Sequence, residues 1–78
     1  IMDIRISDDV LADDAEAVIT VWFVNSGEQI VKGALMVEIM AAKVQYEMAA
    51  PASGVLNIVA GVDAVVRKGD IIGCIVVG

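Results

Sequence analysis

The chain has 78 residues, 59% of them hydrophobic, with five basic against eleven acidic side chains, no histidine and a single cysteine. A chain this short forms one small domain, residues 1–78, and must rely on dense apolar packing because no cysteine pair staples its core. The net charge of −6 excludes the basic face that nucleic-acid phosphates demand, and the missing histidine leaves no zinc site and no partner for a catalytic thiol.

Met2 to Ile6 alternates Ile4 and Ile6 with charged neighbours and is expected to form an edge strand. Ser7 to Asp14 is a polar loop; its aspartates Asp8, Asp9, Asp13 and Asp14, with Asp3 and Glu16, gather much of the acidic charge early in the chain. Such a segment keeps a hydrophobic domain soluble, and an acidic face also steers a small protein towards basic entrances on other proteins. The paired aspartates lack the spacing and central glycine of a calcium loop. Ala15 to Val24 is rich in β-branched and aromatic residues and should be a strand, followed by turn chemistry at Asn25-Ser26-Gly27-Glu28.

Ile30-Val31-Lys32-Gly33 leads into a strand from Leu35 to Met40, and a second alternating run follows from Val44 to about Ala49. Pro51 ends that strand because it has no amide hydrogen for a ladder. Gly54 to Ala60 is another apolar strand, with Gly54 expected to pack close to the preceding hairpin. Gly61 to Asp70 reads as a loop, and Ile71 to Val77 closes the sheet. Cys74 suits that closing strand as a small apolar residue, and a lone thiol points to a reducing compartment. Trp22 and Tyr46 are expected in the core or at its rim. No stretch has a helical period. The longest uncharged stretch, Met48 to Val62, is interrupted by Pro51, Ser53, Gly54 and Asn57, so no membrane span is expected. No basic start precedes an apolar block, so no signal peptide is expected either, and the chain reads as cytoplasmic, or of the mitochondrial matrix if eukaryotic.

The two halves echo one another: Gly27…Val31-Lys32-Gly33-Ala34-Leu35 is answered by Gly61…Arg67-Lys68-Gly69-Asp70-Ile71. Two copies are too few for a solenoid, and two sheets related by a pseudo-twofold axis account for the echo better.

Between the strands that flank it, Lys43 stands beside a hairpin tip read as Ala41-Ala42. Lys32 and Lys68 instead precede turn glycines at matched places in the two halves. A primary amine held on a tight turn does little chemistry alone, but another protein can acylate it, after which it carries the acyl group.

With Gly27 upstream and Ala50-Pro51-Ala52-Ser53-Gly54 after the second strand, this arrangement resembles the attachment site of the biotinyl/lipoyl attachment domain family. The run Ala15 to Gly27, tryptophan included, is similar to the first strand of a lipoyl domain, and Glu38 stands where such domains carry an acidic residue. Biotinyl domains usually flank their lysine with methionine on both sides, where this chain has Ala42 and Val44. Lipoyl domains commonly place an acidic residue directly before the lysine, and Ala42 departs from that pattern.

The resemblance implies an all-β fold, a flattened β-barrel or sandwich of two small antiparallel sheets with pseudo-twofold symmetry. In the family the lysine hairpin and the two chain ends lie at opposite ends of that body. It further implies a non-catalytic carrier, part of a dihydrolipoyl acyltransferase component, with lipoate in amide linkage to Lys43. Its swinging arm would shuttle acyl groups and electrons between the active sites of a 2-oxo acid or acetoin dehydrogenase complex. The implied partners are a lipoate ligase or lipoyl transferase and the decarboxylase, acyltransferase and dihydrolipoyl dehydrogenase components. Two alternatives stay open at this point: a biotinyl carrier domain of a biotin-dependent carboxylase, and an unmodified structural or interaction module of the same fold.

Overall fold

Period-two alternation of buried and exposed residues runs through the computed structural model, which describes residues 1–6 and 15–77. The expected loop Ser7 to Asp14 lies outside them. Among the described residues eight strands follow in chain order: β1 (Met2–Arg5), β2 (Glu16–Trp22), β3 (Gln29–Ile30), β4 (Leu35–Ala41), β5 (Val44–Ala49), β6 (Gly54–Ile58), β7 (Val65–Arg67) and β8 (Ile71–Val76). There is no helix among the described residues.

The strands form two four-stranded sheets, β5-β4-β2-β7 and β1-β8-β6-β3, with every pairing antiparallel. No strand pairs across from one sheet to the other, so the body is a flattened sandwich, not a closed barrel; it measures 35 × 19 × 19 Å. Ile19, Met36, Val37, Ile39, Leu56, Ile72 and Ile75 are fully buried between the sheets, and no polar side chain is buried with them among the described residues. Among the described residues, a core of 13 buried apolar side chains replaces the staples that a domain this small otherwise needs. Trp22 and Tyr46 pack against its rim, and the Trp22 Nε1–H donates to the Ala60 carbonyl at 2.9 Å, which satisfies the polar end of a large apolar ring.

The pseudo-twofold is written in the backbone hydrogen bonds. The Gly27 amide donates to the Leu56 carbonyl (2.7 Å) as the Asp63 amide does to Ile19 (2.8 Å). Likewise Gly33 donates to Ala50 (2.9 Å) as Gly69 does to Ile6 (3.0 Å). Gly33 and Gly69 have φ of 90° and 86°, and the match at Lys32-Gly33 and Lys68-Gly69 holds as the echo predicts. One correspondence shifts: the partner of Gly27 (φ 92°) is Asp63 (φ 74°), and Gly61 answers Asn25. The expected loop from Gly61 to Asp70 contains β7, the counterpart of β3, a strand too short to show its own alternation. Gly54 also differs from expectation, since it packs against β8: a Cβ there would run into the Val76 carbonyl oxygen and the Ile75 side chain. The half-buried Cys74 lies on β8 as expected, facing outward opposite Asp3 and Asn57.

Candidate attachment site

β4 and β5 pair without interruption from Val37↔Met48 to Ala41↔Val44, which leaves Ala42 and Lys43 as the two loop residues. The tip is therefore Ala42-Lys43, one residue later than the sequence reading placed it, because Ala41 is still paired to Val44. A two-residue hairpin needs left-handed backbone at its first central position to match the strand twist, and Ala42 supplies it with φ of 55°. Alanine gives no side-chain hydrogen bond to hold that conformation, so the ladder imposes it.

Lys43 is exposed at this tip, and its amine makes no hydrogen bond or ion pair with the described residues. Lys32, also exposed, sits in a turn whose backbone is tied down at both ends: its own amide donates to Ser53 Oγ at 2.8 Å, and Ala34 donates to Val31 at 3.0 Å. Lys68 is half-buried and partnered. Of the three lysines, Lys43 alone projects from a β-hairpin loop as an amine open to a modifying enzyme.

Beneath the tip, β4 and β5 send Ile39, Val37, Tyr46 and Met48 towards the core and Met40, Glu38, Gln45 and Glu47 outward, since cross-strand partners share a face. Glu38, the acidic residue singled out from the sequence, is half-buried on the outer face, where Thr20 Oγ1 donates to its Oε2 at 2.9 Å and lies 3.0 Å from its backbone carbonyl oxygen. It stands directly opposite Glu47. The same outer face carries an apolar row that the sequence reading missed: Met40 opposite Val18, and Val18 opposite Val65. Counting back from Gly33 and Gly69 in the internal echo matches Val66 to Ile30, a signal that could have placed Val65 in a strand. The described residues contain no cluster of acidic, cysteine or histidine side chains able to hold a metal. The residues at the tip suit a covalent acyl group instead: one free amine, flanked by small or apolar side chains that leave it accessible.

A protein-family model described as "Biotin-requiring enzyme" matches residues 8–75. No curated protein sequence matches the chain. Among solved structures, the lipoyl domain of the 2-oxoglutarate dehydrogenase complex from Azotobacter vinelandii, determined in solution by NMR, superposes with a TM-score of 0.80 at 28% identity, covering 100% of this chain and 99% of that one. The all-β sandwich, the hairpin that presents Lys43 and a family match over most of the sequence converge: this chain belongs to the biotinyl/lipoyl attachment domain family.

Proposed function

We propose that this domain is a lipoyl carrier, with Lys43 as the residue that takes lipoate. The observation that carries the reading is the pairing of Ala41 with Val44, which leaves Lys43 as the free amine of a two-residue turn in a fold matching a lipoyl domain along its whole length. Amide formation at Nζ needs the neutral amine, which attacks the ligase-activated carboxyl, expels the activating group and releases a proton. The product has lost a positive charge and gained an apolar arm. When bound, lipoate supplies a dithiolane that accepts an acyl group and electrons by thiol exchange and passes them on.

Every other contribution is the protein's. The ladder below the tip fixes the backbone of Lys43, so a modifying enzyme meets one lysine in one geometry. The small rigid body then carries the arm at high effective concentration among the sites of an assembly. The setting this supports best is a 2-oxo acid dehydrogenase complex, as a domain of its acyltransferase component, working between the decarboxylase and dihydrolipoyl dehydrogenase components. The acidic balance of the chain favours basic docking surfaces on those partners. Such complexes place the domain in the cytoplasm, or in the matrix of a mitochondrion.

A biotinyl carrier of a carboxylase is the second reading, supported by the description of the matched family and by the uncharged neighbours Ala42 and Val44. Intact mass after incubation with lipoate ligase, lipoate and ATP, beside a biotin ligase control, separates the two. A single lipoyl adduct is expected; a biotin adduct instead moves the domain to the carboxylases, and no adduct from either enzyme leaves a structural module.

A further inference from the structure

The outer face of the lysine sheet is banded. Level with the tip, Glu16 on β2 pairs with Arg67 on β7, their carboxylate and guanidinium 3.3 Å apart. Four residues further down β4, Glu38 faces Glu47. Between these polar rows runs the apolar row Met40, Val18 and Val65, on three adjacent strands. Val18 is 37% exposed and Val65 60% exposed, although neighbours Ala17, Ile19 and Val66 are buried. At about 4.8 Å between strands, the row is roughly 10 Å long from Met40 to Val65. It starts three residues from Lys43, on the same hairpin.

We propose that this stripe is the resting surface of the acyl arm carried by Lys43, so that the arm lies across the sheet until a partner enzyme takes it up; the inference rests on the carrier reading above. Three observations select the arm as occupant. The stripe begins at the second cross-strand pair below the turn, Met40↔Gln45, within reach of a group attached at Lys43. Its length fits: an extended chain advances about 3.4 Å for every three bonds, so the roughly eleven bonds from the lysine Cα to the ring reach about 12 Å, which from the turn brings the ring over Met40 to Val18, with Val65 beside it. Its chemistry fits as well, because acylation turns a cationic side chain into a long neutral apolar one, and the stripe is apolar with charged groups on either side. The equivalent row on the other sheet, Val76, Val55 and Gln29, lies beside the β8–β1 pair and not beside the Lys43 turn.

The test is methyl-resolved NMR on the unmodified and lipoylated domain, with the adduct on each sample established first by intact mass. The expected result is that lipoylation shifts the methyl signals of Val18 and Val65 and gives Overhauser contacts between arm methylenes and the Val18 methyls and between the dithiolane ring and the Val65 methyls, with Val55 and Val76 unmoved. In the lipoylated Val18→Thr/Val65→Thr variant, which keeps β-branched residues on both strands, the shifts at the tip remain while arm contacts to residues 18 and 65 are lost. Shifts confined to residues 41–45 on a domain whose adduct is proven overturn the resting surface and leave the carrier reading intact. Signals of Val18 and Val65 that move with protein concentration in the unmodified domain overturn it too, by showing that a second copy covers the stripe. Failure to form any adduct removes the carrier reading, and the resting surface with it.

Discussion

The β4–β5 corner and its pseudo-twofold counterpart, the β8–β1 pair, are built on the same ladder, yet only the first is closed by a turn. Ile39 pairs with Tyr46 on one sheet as Ile75 pairs with Met2 on the other. A twofold axis puts equivalent points across the body from one another, so the Lys43 turn and the β8–β1 pair sit on opposite sides of it. The same ladder therefore supplies rigidity at both corners, and at the β4–β5 corner it presents the lysine amine on a turn. The difference is tested most sharply by Lys43→Arg, which keeps charge and length but cannot form the amide. Adduct formation with lipoate ligase is expected to fall from complete to none by intact mass, with an unchanged melting curve. An adduct persisting on Lys32 or Lys68 would sink the claim that the hairpin selects the lysine.

The halves also differ at Gly54 and Ala17, which occupy equivalent places opposite Ile30 and Val66. Ala17 is buried with its methyl group accommodated, whereas a Cβ on Gly54 would lie 2.7 Å from Ile75 Cγ2 and closer still to the Val76 carbonyl. Backbone cannot retreat as a side-chain tip can. Gly54→Ala is therefore expected to destabilise the domain by about 3 kcal/mol in chemical denaturation, at the severe end for a single methyl group. The reciprocal change, Ala17→Gly, is expected to cost only about 1 kcal/mol, from backbone entropy and lost packing. Similar losses at the two positions would mean that the asymmetry of the close approach is not real.

Much of this architecture could be read from the residues. Alternation located β1, β4 and β5, β-branched and aromatic content located β2, and apolar runs bounded by turn residues located β6 and β8, while the Lys-Gly echo announced the pseudo-twofold because both turns need a positive φ that glycine adopts freely. β3 and β7 escaped notice since two or three residues cannot display a period. Asp63 hid its kinship with Gly27 because aspartate tolerates the left-handed region and so takes the place of the telltale glycine. The place of Lys43 in its hairpin was legible to within one residue of register. The apolar row beside it was not, since it joins residues from β4, β2 and β7 that only pairing brings together.

Ala42 is the point where the lysine turn differs from the glycine turns of the molecule. Gly27, Gly33 and Gly69 take positive φ without steric penalty, and Ala42 does so at a cost. Ala42→Gly is expected to stabilise the domain by about 1 kcal/mol in denaturant titrations. Asn and Asp both tolerate this conformation, so comparing Ala42→Asn with Ala42→Asp isolates the charge that lipoyl domains commonly place before the lysine. Initial lipoylation rates are expected to rise for Ala42→Asp and stay near the parent for Ala42→Asn. Equal rates would assign any gain to the turn and none to the carboxylate.

The smallest expected effect concerns the outer faces of the two sheets. Opposite Glu38 stands Glu47, while the equivalent pair on the other sheet is Cys74 and Asp3, with no second charge. Like charges directly opposite in a ladder repel, and the Thr20 hydroxyl hydrogen-bonded to Glu38 fixes that carboxylate in place, so it cannot swing away from its neighbour. Removing the more exposed member while keeping its shape, in Glu47→Gln, is expected to stabilise the domain by about 0.5 kcal/mol at low ionic strength. The gain should shrink towards zero in 1 M salt, where screening acts within about 3 Å. Asp3→Asn should show no such gain, since Asp3 stands opposite Cys74 and the Arg5 guanidinium, 3.9 Å from its carboxylate, attracts it. A salt-independent effect of Glu47→Gln would place its origin in strand packing, and the contrast between the two faces would then owe nothing to charge.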